Sequence, residues 1–401
     1  MISISRSVAI SLISALMLAL MPAISCAGQK TQQGSGDMPE EKPRARDFGI
    51  RPGVLSPGPL NAITDVSGVS VGHVTLKQGT AIHTGVTAVL PHDGNLYQDK
   101  VPAGFAVGNG FGKFAGSTQV KDLGEIETPI ILTNTLSVAE GMKGVIEYTL
   151  AKPGNQDVRS VNAIVGETND GYLNDIRRRI VTPSHVIEAI QNASAGPVKE
   201  GSVGAGTGTI NFGWKGGIGT SSRRLPAQLG AYTVGVLVQT NYGGILQMDG
   251  LPVGRELDQY YLRDEIDKGD ADGSIILVVA TDAPLSDRNL TRLAARALSA
   301  IARTGSPATN GSGDYAVAFS AAEGVRRTPA RRETVSQVQE LPNNQLSPLF
   351  EAAMEASEEA IYNALVAGET TKVFRGEIKA LPLDKLAEIV QRHGRRSRVS
   401  E

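Results

Sequence analysis

The chain has a single cysteine, Cys26, in 401 residues, so no disulfide can form within it. Its five histidines (His73, His83, His92, His185 and His393) show no helical metal-ligand spacing and have no cysteine partners. That pattern excludes a structural zinc of the usual Cys/His kind. Neither sign of charge dominates: the net charge is −2, which gives no argument for nucleic acid or an acidic surface as partner. Aromatic residues make up only 4% of the chain, with one tryptophan, so an aromatic-rich binding face is not expected. Internal repeats are absent. Glycine, in contrast, is abundant at 46 residues, which points to tight turns and close backbone approaches.

The first residues, "MISISRSVAISLISALMLALMPAISCAG", carry one early arginine, an apolar stretch from Val8 to Met21, Pro22 and then small residues. That is the three-part layout of a secretory signal over residues 1–27, cut after Ala27, and it predicts an exported, periplasmic protein. Two other readings stay open: a membrane-anchored helix, and a lipoprotein signal with Cys26 lipidated. Residues 28–46, "GQKTQQGSGDMPEEKPRAR", are too poor in apolar groups to offset ordering and read as a disordered spacer. A single domain is expected over 47–401.

Within that domain short β-branched runs alternate with helical patterns. "TPIILTNT", "SVNAIVGE", "AYTVGVLVQTN", "SIILVVATD" and "YAVAFSAA" read as buried strands. "AITDVSGVSVGHVTL" alternates like a half-buried hairpin. Helices are expected at "TPSHVIEAI", at "SPLFEAAMEASEEAIYNALV", at "LPLDKLAEIVQRHGR" and over 286–303. In the last, Leu290, Leu293, Ala294, Ala297, Leu298 and Ile301 form one face. The class is mixed α and β, with helices covering sheets.

Familiar catalytic motifs fail. "GNGFGKFAG" (108–116) has Phe114 where a phosphate loop needs Ser or Thr, and "GAGTGTINFGWKGGIGTSS" (204–222) does not fit a dinucleotide fingerprint. The informative junction is "DGSIILVVATDAP" (272–284), where Ser274 opens an unbroken apolar run. It reads either as a plain strand start or as a self-cleaved bond, Gly273–Ser274, that leaves Ser274 as a nucleophile with its own amine. Strand 274–280, helix 286–303 and strand 315–320 form a βαβ unit, whose two strands are parallel if they share a sheet. The turn "NGSGD" (310–314) then lies beside Ser274, with Ser312 and Asp314 pointing the same way. Asn241, at the end of "VLVQTN", reaches that edge if its strand is antiparallel, as a neutral donor to an oxyanion. A freed serine amine, titrating near ~8, supplies the base that no histidine provides.

In order along roughly 47–380 run "RDFGI", "NAITDVSGVSVGH", "TGVTAVLP", "GETNDGYLND", "EGSVGAGTG", "WKGGIGT", "VGVLVQTNYG", "DGSIILVVATDAPL" and "NGSGDYAVAFS". With these the chain resembles the DmpA-like self-processing peptidases, the β-peptidyl aminopeptidases and L-aminopeptidase/D-esterases. The resemblance implies an α+β fold, a four-layer αββα sandwich like the N-terminal-nucleophile hydrolases but differently connected. It implies autocleavage into chains 28–273 and 274–401 that stay associated, and a homo-oligomer of such pairs. No cofactor or metal is implied. Ser274 is then the nucleophile, Ser312 and Asp314 assist proton movement, and Asn241 holds the oxyanion. Tyr172 would contact the tetrahedral intermediate and Glu167 the substrate's ammonium. β-Peptide-cleaving relatives tend to carry glutamate where Asp314 stands, so the shorter arm bears on selectivity.

The expected activity is that of an exported serine aminopeptidase acting on short peptides, amino-acid amides or esters through an acyl-enzyme. An ornithine-type acetyltransferase of similar layout is one alternative. A non-catalytic periplasmic binding or scaffold protein is the other.

Overall fold

The computed structural model describes residues 42–263 and 273–397. The expected signal, Cys26, most of the expected spacer and the charged run before Gly273 lie outside the described residues. The expected boundary at Asp47 needs a correction. Ala45 is fully buried and donates its N–H to Asn363 Oδ1 at 3.0 Å. Arg44 pairs with Glu200 at 2.8 Å and Arg46 with Glu359 at 2.7 Å. The charges that read as solvated are ion-paired with carboxylates of the folded body, so the ordered structure already includes Lys42.

Apolar side chains on both faces of most strands build two sheets. The first is ordered β1 (Ser70–Gln78), β2 (Ile82–Leu90), β6 (Ile130–Asn134), β7 (Ile164–Thr168) and β4 (Phe114–Ala115). The second is ordered β10 (Ile218–Arg224), β11 (Thr233–Asn241), β12 (Ser274–Thr281), β13 (Gly313–Ser320), β3 (Val101–Gly110) and β5 (Glu125–Ile126). Two small ribbons complete the strands: β8 (Ile210–Asn211) with β9 (Trp214–Lys215), and β14 (Thr371–Val373) with β15 (Gly376–Ile378). The helices are α1 (Ser117–Leu123), α2 (Val138–Leu150), α3 (Pro183–Gln191), α4 (Val253–Glu256), α5 (Asp287–Ala297), α6 (Ser299–Arg303), α7 (Pro329–Glu333), α8 (Ser347–Val366) and α9 (Leu383–Ser397). None of them is long and apolar enough to cross a membrane.

Three apolar clusters define the layers. One, including Val89, Leu132, Ile164, Leu237, Ile276 and Val317, fills the space between the sheets. A second packs α2 and α3 on the outer face of the first sheet, through Val145, Val186 and Ile190. The third packs α5 and α8 on the second sheet, through Leu290, Leu293, Ala356 and Ala360. This is the four-layer αββα sandwich. Helix α8 lies so close to β10 that a Cβ on Gly219 would sit 1.9 Å from the Ala360 carbonyl oxygen. Strands β11 and β12, buried at every position, are central, and the expected helix 286–303 is α5 continued into α6.

Candidate active site

Four adjacent strands of the second sheet bring Asn241, Ser274, Gly313 and Gly110 into one row at its edge. Strand β11 runs antiparallel to β12 and sets Asn241 directly opposite Ser274. Strand β13 runs parallel to β12 and sets Gly313 beside Ser274, and β3 sets Gly110 beside Gly313. Both pairings are the ones the sequence reading requires. The parallel one follows from the α5 and α6 crossover, and the row forms because each strand begins or ends at that edge.

Ser274 is buried. Its Oγ accepts from the Gly313 N–H at 3.3 Å, and the same N–H donates to the Gly273 carbonyl oxygen at 3.1 Å. Gly273 packs so tightly against β11 that a Cβ there would lie 2.0 Å from the Asn241 carbonyl oxygen. Glycine is therefore required by close approach. On the far side, the Ile210 N–H donates to Asn241 Oδ1 at 3.0 Å, which turns the amide nitrogen away from β8.

Ser312 Oγ donates to Asp314 Oδ1 at 2.5 Å, so the expected pair is formed. Asp314 is fully buried, and its Oδ2 has no hydrogen-bond partner among the described residues. Loss of water pushes its carboxyl up to about 6, against the opposing pull of the Ser312 hydroxyl and the Ile275 N–H. A carboxyl in that range can accept a proton from a hydroxyl network near neutral pH.

Glu167 lies on β7 and is 3% exposed. Its Oε1 accepts from the Lys113 N–H at 3.0 Å and from Lys113 Nζ at 3.2 Å, and its Oε2 accepts from the Thr135 hydroxyl. Gly166, its neighbour, faces Ile276 of β12 across the sheet interface. A Cβ on Gly112 would lie 3.1 Å from Glu167 Oε1 and 3.7 Å from the Gly313 Cα, which puts the carboxylate near the sheet edge that carries Ser274. Tyr172 is placed differently: it is 46% exposed, and its hydroxyl lies 3.9 Å from where a Cβ on Gly376 would stand, against the β14–β15 hairpin.

Three polar residues escaped the sequence reading. Asn109 Nδ2 donates to the carbonyls of Thr309 at 3.0 Å, Asn310 at 3.1 Å and Ser312 at 2.5 Å, clamping the turn that carries Ser312. Lys113 sits on Glu167, as above. Lys215 is fully buried and donates to the carbonyls of Gly206 at 2.9 Å and Gly216 at 2.8 Å, holding the glycine loop ahead of Ile210. All three lie in the two glycine-rich segments, 108–116 and 204–222, that fail as phosphate or dinucleotide motifs. A polar side chain among glycines was the available signal. Among the described residues no cluster of three or more His, Cys, Asp or Glu side chains converges as a metal ion needs.

A serine opening a central strand of one sheet of an αββα sandwich, with an amide opposite it and a hydroxyl–carboxylate pair beside it, defines a serine hydrolase of the N-terminal-nucleophile type. The chain belongs to peptidase family S58, whose sequence profile matches residues 61–379. It is 42% identical over 386 residues to the beta-peptidyl aminopeptidase BapA of Sphingosinicella microcystinivorans, covering 90% of this chain and 95% of that one. Among solved structures it resembles a Burkholderia sp. beta-aminopeptidase at 40% identity, with TM-score 0.80 over 87% of this chain and 99% of that one. It also resembles the L-aminopeptidase D-Ala-esterase/amidase of Ochrobactrum anthropi, described as a prototype of the serine aminopeptidases and a variant of the N-terminal-nucleophile hydrolase fold. That likeness is 36% identical, with TM-score 0.80 over 88% of this chain and 99% of that one. The chain is a self-processing serine aminopeptidase; acetyl transfer and non-catalytic binding are not favoured.

Proposed function

We propose that the chain cuts its own Gly273–Ser274 bond. Ser274 then removes unblocked N-terminal residues, β-amino-acid residues among them, from short peptides, amides and esters. The observation that carries this reading is the arrangement at one buried point: the Ser274 hydroxyl and the Gly273 carbonyl share the Gly313 N–H, with Asn241 across the ladder.

In the uncut chain the Ser274 hydroxyl adds to the Gly273 carbonyl carbon and its proton passes to the Ser312–Asp314 pair. The carbonyl oxygen gains charge where the Gly313 N–H and the Asn241 amide stabilise it. Collapse breaks the C–N bond, the Ser274 nitrogen takes a proton, and water hydrolyses the resulting ester. The products are a Gly273 carboxylate and a Ser274 free amine. That amine, titrating near ~8, becomes the base for turnover. With substrate, Glu167 fixes the ammonium and Ser274 attacks the amide after the first residue. The leaving amine departs protonated, and water clears the acyl-enzyme.

The two fragments share one sheet: β12 and β13 of the second sit side by side between β11 and β3 of the first. Separation would expose a fully buried strand, so the cut chains stay together. Export through residues 1–27, with or without lipid on Cys26, and assembly into a homo-oligomer complete the reading. Peptide mapping of the exported product and its mass in solution test both.

Intact-mass analysis of the wild type beside Ser274→Ala tests the core. Two wild-type fragments, the second beginning Ser-Ile-Ile-Leu, and an uncut variant are expected. A panel of α- and β-residue amides with and without N-acetylation then reads selectivity, which Asp314 bears on. An uncut, inactive wild type would sink the proposal.

A further inference from the structure

We propose that Lys113 is a built-in stand-in for the substrate's ammonium. Its Nζ occupies the Glu167 carboxylate while the site is empty and yields it when an unblocked N-terminal residue binds. This rests on the reading of Glu167 as the ammonium acceptor.

The argument starts from the burial of Glu167. A carboxylate 3% exposed is costly to leave without a counter-charge. Two uncharged donors orient it, the Lys113 N–H on Oε1 and the Thr135 hydroxyl on Oε2. Among the described residues, Lys113 is the cation that pairs with it, at 3.2 Å. The two partners differ sharply in exposure: the lysine side chain is 52% exposed and the glutamate side chain 3%. A cation already half in water regains its hydration on swinging out, so the cost of parting falls on the carboxylate. The carboxylate cannot follow, so the departing cation must be replaced.

The loop around Lys113 is built for such an exchange. Gly110 and Gly112 flank Phe111, and a Cβ on Gly112 would lie 3.1 Å from Glu167 Oε1 and 3.5 Å from Tyr315 Cε2. Its absence keeps the approach to Oε1 clear. The same loop is anchored at the nucleophile. The Phe111 N–H donates to the Ser312 carbonyl at 3.2 Å, and the Phe111 carbonyl oxygen would lie 2.5 Å from a Cβ on Gly313. Phe111 itself is 66% exposed at this rim. Only Gly112 thus separates the contact beside Ser274 from the cation on Glu167. An ammonium bound to Oε1 therefore enters beside Ser274, and a blocked N-terminus, which brings no cation, has nothing to offer in exchange.

The test is steady-state kinetics of the self-cleaved enzyme on one amide substrate with a free N-terminus, comparing wild type, Lys113→Met, Lys113→Arg and Glu167→Gln. Removing the competing cation in Lys113→Met is expected to lower KM about three-fold, the scale of a weak ion pair, with kcat unchanged. Propylammonium, used as a competitive inhibitor, should bind more tightly to that variant by a similar factor. Lys113→Arg keeps the cation and should keep or raise KM. Glu167→Gln should raise KM on the order of tenfold or more, as loss of a buried charged acceptor would. If Glu167→Gln raises KM while Lys113→Met leaves KM unchanged or raises it, Lys113 is a structural partner and the stand-in role is overturned. If Glu167→Gln leaves KM unchanged, the acceptor reading fails and the stand-in role falls with it. Each variant's cleavage into two fragments reports that it has folded.

Discussion

Asn241 faces Ser274 directly across the β11–β12 ladder, and the Ile210 N–H holds the Asn241 side-chain oxygen at 3.0 Å. With the oxygen engaged, the amide can present only its NH₂ to the edge where Ser274 reacts. The bond from Ile210 thus leaves the NH₂ free for the oxyanion role proposed above. Asn241→Ala should lower kcat roughly 10²- to 10³-fold and change KM far less, as the loss of one oxyanion donor does. Asn241→Asp keeps an acceptor for Ile210 but replaces the donor with a negative charge. It should be as inactive or worse at an unchanged melting temperature. Equal losses in kcat and in thermal stability for the aspartate variant would mean that the residue is structural.

In the uncut chain the Ser274 nitrogen is an amide and cannot serve as base, so the proposed self-cleavage assigns the proton to Asp314. Burial raises its carboxyl to about 6. The rate of self-cleavage should therefore climb about tenfold per pH unit below ~6 and level off above it. The same shift has a stability consequence of definite sign. The folded carboxyl binds its proton more tightly than the unfolded one, so its contribution is full below the ordinary value of 3.8 and is lost as pH rises through about 6. Refolding the precursor at a series of pH values and following the fragments on a gel measures the rate. A profile flat from pH 4.5 to 7.5, or unaffected in Asp314→Asn, would remove Asp314 from the proton path.

The βαβ unit that brings Ser274 and Gly313 together was legible because long apolar runs and one amphipathic helix leave few topologies. The same logic placed Asn241. What stayed hidden depends on contacts that leave no periodic trace. Helix α2 carries Gly141 and Gly144, poor helix formers, because a Cβ on either would come within 3 Å of Val165 or Val186. The charged stretch at Lys42–Arg46 reads as solvent-facing until its arginines are seen to pair with Glu200 and Glu359 from distant elements. Tyr172 shows the limit in the other direction. The resemblance that names it says nothing about the β14–β15 hairpin that lies beside its hydroxyl.

Asn109 makes a third prediction. Its amide spans three carbonyls of the 309–312 turn, and Ser312 ends that turn two residues before Asp314. It touches no reacting atom, so it is a positioning residue. Asn109→Ala should lower kcat about tenfold or more by loosening the Ser312–Asp314 pair, while KM stays close to the wild-type value. Asn109→Asp turns the donor into an acceptor facing three carbonyl oxygens and should be worse. A purely structural role would instead lower the melting temperature without separating kcat from KM, and would leave the pH midpoint of self-cleavage where it was.

Lys215 and Asp170 make the last. Both are almost wholly buried: loss of water lowers the Lys215 ammonium to about 7 and raises the Asp170 carboxyl to about 7. Unfolded, Lys215 would hold its proton up to about 10.5, so between about 7 and 10.5 the unfolded state binds more protons and stability rises with pH. Asp170 works in the opposite sense, its contribution being full below 3.8 and lost as pH rises through about 7. Together they place a minimum of stability near neutral pH. Lys215→Met should erase the rising limb, which is worth at most about 1.4 kcal/mol per pH unit. Above about pH 10 it should lower stability by leaving the Gly206 and Gly216 carbonyls unpaired, and toward pH 7 relief from burying a charge offsets that loss. Melting temperatures of the two proteins between pH 7 and 10 decide it. Parallel profiles would mean that Lys215 keeps its proton inside the fold, despite having two carbonyl oxygens and no carboxylate as its hydrogen-bond partners.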